Sequence, residues 1–293
     1  MANLKEIRTR IASVASTRQI TGAMKMVAAA RLKKAQDTVT NFRPYADKMQ
    51  EIIMSVASSV GLAENNKYID NRDYRQVLIV VITSNRGLCG AFNSNVIKEA
   101  IQFAEKKYGN VSDPVKVRYM AIGKKGFDAL RKRNVLMEAP PKKDIIENYS
   151  FDNVAEVAES LMQGFVSKRF DCIDIIYNEF INAASQKVIC KQFLPLMPEE
   201  QKEKTSHIDY IFEPSKRKIL NELIPQNLRV TLYGALLDSI ASEFGARMTS
   251  MHQATDNATT LIQELTLQYN KARQAAITNE ILEIVGGAEA LKG

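Results

Sequence analysis

Near both ends of this 293-residue chain, core-type residues recur at alternating steps of three and four. The first seam runs Leu4, Ile7, Ile11, Val14, Arg18, Thr21, Lys25, Ala28, Leu32, Ala35, Val39 and onward to Val56. The second runs Val230, Tyr233, Leu237, Ile240, Phe244, Arg247, Met251, Ala254, Ala258 and onward to Leu282. A 3.5-residue period is that of a coiled coil. The first seam predicts one long helix, bent at Pro44. No proline interrupts Gln226–Val285, which as a helix would run roughly 90 Å.

Between the seams the pattern changes to short β-rich runs alternating with amphipathic stretches, the mark of an α/β unit. The expected strands are Gln76–Thr83, Val115–Ile122, Cys172–Phe180, Lys187–Phe193 and a short Asp209–Phe212. The expected helices are Asn93–Tyr108, Lys124–Lys132 and Asn153–Lys168. Early strand–helix alternation favours parallel pairing with right-handed crossovers. The expected fold is therefore α/β: a long antiparallel coiled coil of N- and C-terminal helices plus a Rossmann-like domain with a mostly parallel sheet. The boundaries fall at 1–56, 57–214 and 215–293, with the helical pair projecting like a handle.

Two markers suggest a register for that pair. Setting Arg247 opposite the polar group Arg18, Thr21 and Lys25, and Pro44 level with Pro225, makes facing residue numbers sum to about 268 or 269. Leu4 then faces Leu265, and roughly 20 residues extend past the N-terminus.

The formal charge of +7 favours an acidic partner. The surplus is not uniform. Residues 1–56 carry ten Lys or Arg against four Asp or Glu, a net of +6, whereas residues 226–293 carry five against seven. Aromatic residues do not interleave with the basic ones and no nucleic-acid-binding motif occurs, so nucleic acid is not the expected partner. The longest aliphatic run, Val77–Ile82, is far short of the roughly 20 residues that span a bilayer, so membrane association must pass through partners. The N-terminus has no apolar signal core, which predicts a cytosol-facing location.

No residue set suggests catalysis, a cofactor or a metal. Cys89, Cys172 and Cys190 are widely spaced and lack a ligand motif; they read as buried apolar residues. His207 and His252 have no acid, base or nucleophile at motif spacing. Asp171, Asp174 and Glu179 lie in or beside one strand without a second acid tied to them. Thr83-Ser84-Asn85-Arg86-Gly87-Leu88-Cys89-Gly90-Ala91-Phe92-Asn93 stands where phosphate-binding loops stand, but matches neither GxGxxG nor GxxxxGK[ST]. A tight turn with an Asn or Ser helix cap is the expected reading. Residue chemistry thus reaches a helical hairpin on an α/β domain. A nucleotide-dependent enzyme with a helical arm and a basic coiled-coil scaffold both remain open at this level.

Four segments in order resemble the gamma subunits of F-type ATP synthases: Ile20-Thr21-Gly22-Ala23-Met24-Lys25-Met26-Val27-Ala28-Ala29-Ala30; Arg86-Gly87-Leu88-Cys89-Gly90-Ala91-Phe92-Asn93; Ser242-Glu243 through Ala258; and Ile277-Thr278-Asn279-Glu280 through Gly287-Ala288. The resemblance implies a noncatalytic rotor shaft, one copy per complex, whose helical pair enters a ring of alpha and beta subunits while the α/β domain meets the epsilon subunit and the c-ring. It implies that the complex couples proton flow to ATP synthesis or hydrolysis, on the cytoplasmic side of a bacterial inner membrane. It also implies ring contacts: Met24, Lys25 and Arg247 at an acidic lever of beta, Arg273 and Gln274 at a gripping loop, and Ile277, Thr278 and Glu280 in an apolar bearing.

Overall fold

The computed structural model describes residues 4–60, 67–69, 72–109, 114–140, 142, 144–196 and 216–290. The expected strand Asp209–Phe212 lies outside them. The chain divides into two compact units, residues 1–28 with 248–293, and residues 29–247.

Two long helices serve both units. Helix α1 is Leu4–Val60, with Pro44 inside it. The C-terminal helix begins at Lys216 and continues to Ala290, 75 residues with Pro225 inside. Neither proline ends its helix, so neither marks a boundary, and the C-terminal helix starts about ten residues earlier than Gln226.

In the 29–247 unit, β1 (Gln76–Ile82), α2 (Phe92–Tyr108), β2 (Lys116–Ile122) and α3 (Lys124–Lys132) follow one another. A single-turn α4 (Asp144–Glu147) and α5 (Phe151–Val166) lead to β3 (Cys172–Asn182) and β4 (Ser185–Leu194). The C-terminal helix is therefore α6. The sheet order is β2-β1-β3-β4, parallel except for the β3–β4 hairpin. Both hairpin strands run further than their hydrophobic stretches suggested, meeting at Asn182 and Ser185. There the Asn182 Oδ1 accepts the Ala184 and Ser185 amides at 3.0 and 2.7 Å, a local turn bond not visible as apolar pattern.

The continuous apolar run of β1 follows from burial on both faces. Leu78, Val80 and Ile82 pack with α5 and α6, while Val77, Ile79 and Val81 pack with α2 and Leu130 of α3. Along α6, nearly every residue from Ile224 to Arg247 is buried or half-buried, because α1 covers one side and the sheet another. Beyond Met251 burial narrows to a stripe through Ala258 and Leu265, and from Arg273 to Glu289 every residue is exposed.

On α1 the predicted seam is the buried one: Ile7, Thr21, Ala28, Leu32, Ala35, Val39, Met49 and Ile53 are buried, while Arg18 is exposed. The register differs from the sequence expectation. In the 1–28/248–293 unit, Thr255 Oγ1 bonds Thr21 Oγ1 at 2.9 Å, and Lys25 Nζ lies 3.3 Å from His252 Nδ1. In the other unit, Phe42 meets Tyr233 edge-on at 5.0 Å and Asn227 donates to Gln50 at 3.3 Å. Facing numbers thus sum to 275–277 in each unit, about two helical turns from the expected pairing. The physical reason lies in both markers. The polar seam residues Thr21 and Lys25 find partners in Thr255 and His252 instead of Arg247, and prolines that remain inside continuous helices impose no common level.

One charged group is buried in the sheet. Asp174 of β3 is fully buried and accepts Lys107 Nζ at 3.0 and 3.1 Å and the Tyr108 hydroxyl at 2.5 Å. Lys107 also donates to Gln192 of β4 at 3.1 Å, so the end of α2 is tied to two strands. Burial pushes the Asp174 carboxyl above its usual range while Lys107 and Tyr108 oppose that shift. Burial likewise drives the Tyr108 phenol far up, fixing it as a donor.

Two outcomes follow. Cysteines replacing Thr21 and Thr255 should form a disulfide on mild oxidation, and a scan of the second cysteine along α6 should peak at Thr255, not two turns earlier. Asp174→Ala should lower unfolding stability in urea by about 3 kcal/mol, since it strands the Lys107 ammonium and the Tyr108 hydroxyl. Adding Lys107→Met to that variant should cost less than Lys107→Met alone, because the two groups are coupled.

Candidate functional site

The loop between β1 and α2 and the neighbouring face of α6 form a dense polar cluster. Strand β1 delivers Thr83 and Ser84 into the interior, where both are buried. The Ser84 amide donates to Asn93 Oδ1 at 2.9 Å, and Asn93 Nδ2 returns a bond to Ser84 Oγ at 2.7 Å. Asn93 therefore closes the loop on itself. It does not cap α2, whose N-cap is Ala91 without a side-chain bond, contrary to the expected Asn or Ser cap.

The adjacent β2–α3 turn locks onto the same loop. Asn85 Oδ1 accepts the Lys124 amide at 3.1 Å, Ser84 O accepts the Lys125 amide at 3.1 Å, and Thr83 Oγ1 accepts the Gly126 amide at 2.9 Å. Gly123 has φ +110°, and a side chain there would overlap the Thr83 carbonyl, so only glycine lets the two turns meet this closely.

Helix α6 clamps the loop from another side. The Arg247 guanidinium donates to the Gly87 carbonyl at 2.5 Å and the Arg86 carbonyl at 3.3 Å, and pairs with Glu243 one turn earlier. Burial pushes the Glu243 carboxyl up, and the Arg247 bond and charge oppose it. Cys89 packs with Phe92 and Ala246, and burial raises its thiol, making it an inert filler in place of a nucleophile. The clamp presents Leu88 outward: it is 65% exposed and held at φ +65°, an uncommon conformation for a branched apolar residue.

Chemically the loop is a rigid, occupied turn. The backbone carbonyls of Arg86 and Gly87 point at Arg247, and the Ser84 hydroxyl is used by Arg86 O at 2.6 Å. Among the described residues there is no His, Cys, Asp and Glu cluster able to hold a metal ion, and no helix long and apolar enough to cross a membrane.

The residues singled out from sequence fall into three settings. Met24 and Lys25 are half-buried on α1, with Lys25 beside His252. Arg247 is only 9% exposed and its guanidinium is engaged inside the chain, joined to the loop and to Glu243. Arg273, Gln274, Ile277, Thr278 and Glu280 are all exposed on the last turns of α6. That stretch also exposes Ile281, Leu282, Ile284 and Val285, an apolar surface that the chain itself does not cover. The Arg247 clamp was missed in the sequence because its partners are main-chain carbonyls 160 residues away, which leave no side-chain pattern. The paired glycines Gly87 and Gly90 flanking Leu88 were the available hint.

A family model described as ATP synthase matches residues 3–291. The ATP synthase gamma chain of Flavobacterium psychrophilum is 54% identical over 293 residues, covering 100% of both chains, and that of Geobacter metallireducens is 43% identical over 100% of both. Among solved structures, a chain of the Tetrahymena thermophila mitochondrial ATP synthase central stalk and c-ring is 28% identical with TM-score 0.55, covering 80% of this chain and 99% of that one. A chain of the Euglena gracilis mitochondrial ATP synthase rotor shares the fold at 22% identity and TM-score 0.60, covering 94% and 98%. The two long terminal helices, the β2-β1-β3-β4 sheet and this full-length relationship together establish that the chain belongs to the ATP synthase gamma chain family.

Proposed function

We propose that this chain is the central-stalk rotor of an F-type ATP synthase, carrying torque between a membrane c-ring and a catalytic ring of alpha and beta subunits. The observation that carries this reading is 54% identity to an ATP synthase gamma chain over 100% of both chains. It is a noncatalytic subunit, present once per complex, with the epsilon subunit as a further partner. Its place is peripheral, on the cytoplasmic side of a bacterial inner membrane, and it reaches the membrane through partner subunits. The working segments are 1–56 and 215–293 as the shaft and 57–214 as the α/β domain.

Torque needs no bond chemistry in this chain. A single shaft inside a three-fold ring offers each beta subunit a different face, and a ligand or partner shifts a conformational equilibrium only through differential contact with its states. Swinging a site from mostly open to mostly closed takes about 5.5 kcal/mol of such difference. Exposed apolar groups on the last turns of α6, with Arg273, Gln274, Thr278 and Glu280 among them, supply contact surface without a locking pocket. Met24 and Lys25 would touch an acidic lever of beta. Arg247 would act as a positioning residue, holding the Arg86–Leu88 turn in place.

The test is affinity purification of the tagged chain from membranes. Recovery of alpha, beta, epsilon and c subunits is expected; recovery of nucleic acid without ATPase subunits would overturn the reading. Arg273→Ala with Gln274→Ala should weaken coupling or assembly while the isolated chain stays folded, since both side chains are exposed. Unchanged hydrolysis and proton pumping in the reconstituted double variant would remove that contact. Association with the alpha–beta ring should be faster at low salt, because the +6 of residues 1–56 is screened over about 8 Å at physiological ionic strength. Reversing several of those charges should slow it.

A further inference from the structure

All three parallel strands start at one rim of the sheet, where Gln76 pairs with Lys116 and Val77 with Cys172. Helices α2 and α3 return to that rim, as does α5, whose exit places the Asp171 amide on the Gln76 carbonyl at 2.7 Å. The rim gathers cations. Helix α2 ends in Lys106 and Lys107, α3 in Arg131 and Lys132 with Arg133 next, and the turn after α5 carries Lys168 and Arg169. Arg75 immediately precedes β1, and Lys116 opens β2.

Inward-facing charges at this rim cancel in pairs: Lys107 with Asp174, Arg72 with Asp171, and Arg118 with Glu138. What stays exposed does not cancel. Arg169, though exposed, pairs with Glu138 beside Arg118, which leaves seven unpaired exposed Lys or Arg against two exposed carboxylates, Asp73 and Glu105, a surplus of +5 among the described residues. Basic residues at helix C-termini complement the helix dipole, which accounts for part of the set. It does not account for Arg75, which precedes β1, or for Lys116, which starts β2.

We propose that this rim is a docking face for the anionic phospholipid headgroups of the membrane that bears the complex, adding a direct electrostatic contact to the one made through partner subunits. Clusters of four to eight Lys or Arg held near a membrane are drawn to its negative surface potential. Three features favour lipid over an acidic protein patch. The cations are spread over three helix ends and two strand starts and project into solvent, which suits a laterally uniform charged surface. Apart from Arg169, which pairs with Glu138 and lies over the Phe170 ring, these cations have no ion pair among the described residues, whereas recognition of a fixed carboxylate would brace them. Leu136, just past Arg133, is 60% exposed and Val166 is 42% exposed, giving the face shallow apolar contacts beside its charge. The proposal rests on the peripheral-membrane reading given above.

The test is flotation of the purified full-length chain with vesicles of phosphatidylcholine alone or with phosphatidylglycerol added. Binding is expected only to the anionic vesicles, falling as salt rises. Arg131→Glu, Lys132→Glu and Arg133→Glu together should weaken it by about tenfold or more. Arg8→Glu with Arg10→Glu on α1, a basic stretch elsewhere in the chain, should leave it within about twofold of the parent. Equal loss in both variants, or equal binding to neutral vesicles, would overturn the proposal. If the parent ignores anionic vesicles while the triple variant loses ATPase subunits on purification, the rim serves an acidic protein surface and the lipid assignment is wrong. Failure of the rotor reading is seen separately, as the parent chain purifying without alpha and beta.

Discussion

The burial of α6 on all sides between Ile224 and Arg247 is the constraint on which the remaining structure depends. A helix in a two-helix coiled coil needs only a narrow apolar seam, as α6 has beyond Met251. Over the earlier stretch the same helix must also fill the face of the sheet, so Leu228, Leu232 and Leu236 join Leu78, Val80 and Ile82 in one core. Gly245 belongs to this stretch: a side chain there would press to 3.0 Å on the Ala183 carbonyl of the β3–β4 turn. One helix therefore serves as a wall of the α/β domain and as half of the coiled coil, and it carries Glu243 and Arg247 to the β1–α2 loop.

That shared helix explains why polar groups cluster at the ends of the parallel strands. In doubly wound sheets the crevice where strand order reverses commonly receives a ligand. Here β1 lies between β2 and β3, and the loop leaving β1 is closed by Asn93, by the β2–α3 turn and by the Arg247 guanidinium. Positive groups and amide donors that could face an anion face the protein's own carbonyls and side-chain oxygens instead. The result is a turn whose polar groups are engaged within the chain and which presents Leu88 outward.

Much of this was legible in the sequence, and the limits have physical causes. The two helical seams stand out because a 3.5-residue period survives any packing partner, and the seam residues Ile7 to Ile53 are the ones buried. The strands stand out because β1 is apolar at every position from Val77 to Ile82. Register was not legible. It depends on which polar seam residues meet, and Thr21 with Thr255 is a hydroxyl pair without a charge signature. Arg247 interrupts its seam as a charge but is neutralised by Glu243 and bonded to main-chain carbonyls, so it says nothing about the facing helix. The β3–β4 hairpin outran its hydrophobic pattern for a similar reason, since the Asn182 side chain and main-chain bonds carry it through exposed residues. The exposed residues Arg273 to Glu280 on the last turns of α6 were singled out only through family resemblance, because a surface that no described residue covers has no internal signature.

Direct observation of rotation tests the central claim most closely. With an alpha–beta ring fixed to a surface and a bead attached to this chain through a cysteine placed at the exposed Lys98, ATP should drive the bead in one direction, pausing at thirds of a turn. Steady ATP hydrolysis by the same assembly while the bead remains stationary would contradict the account.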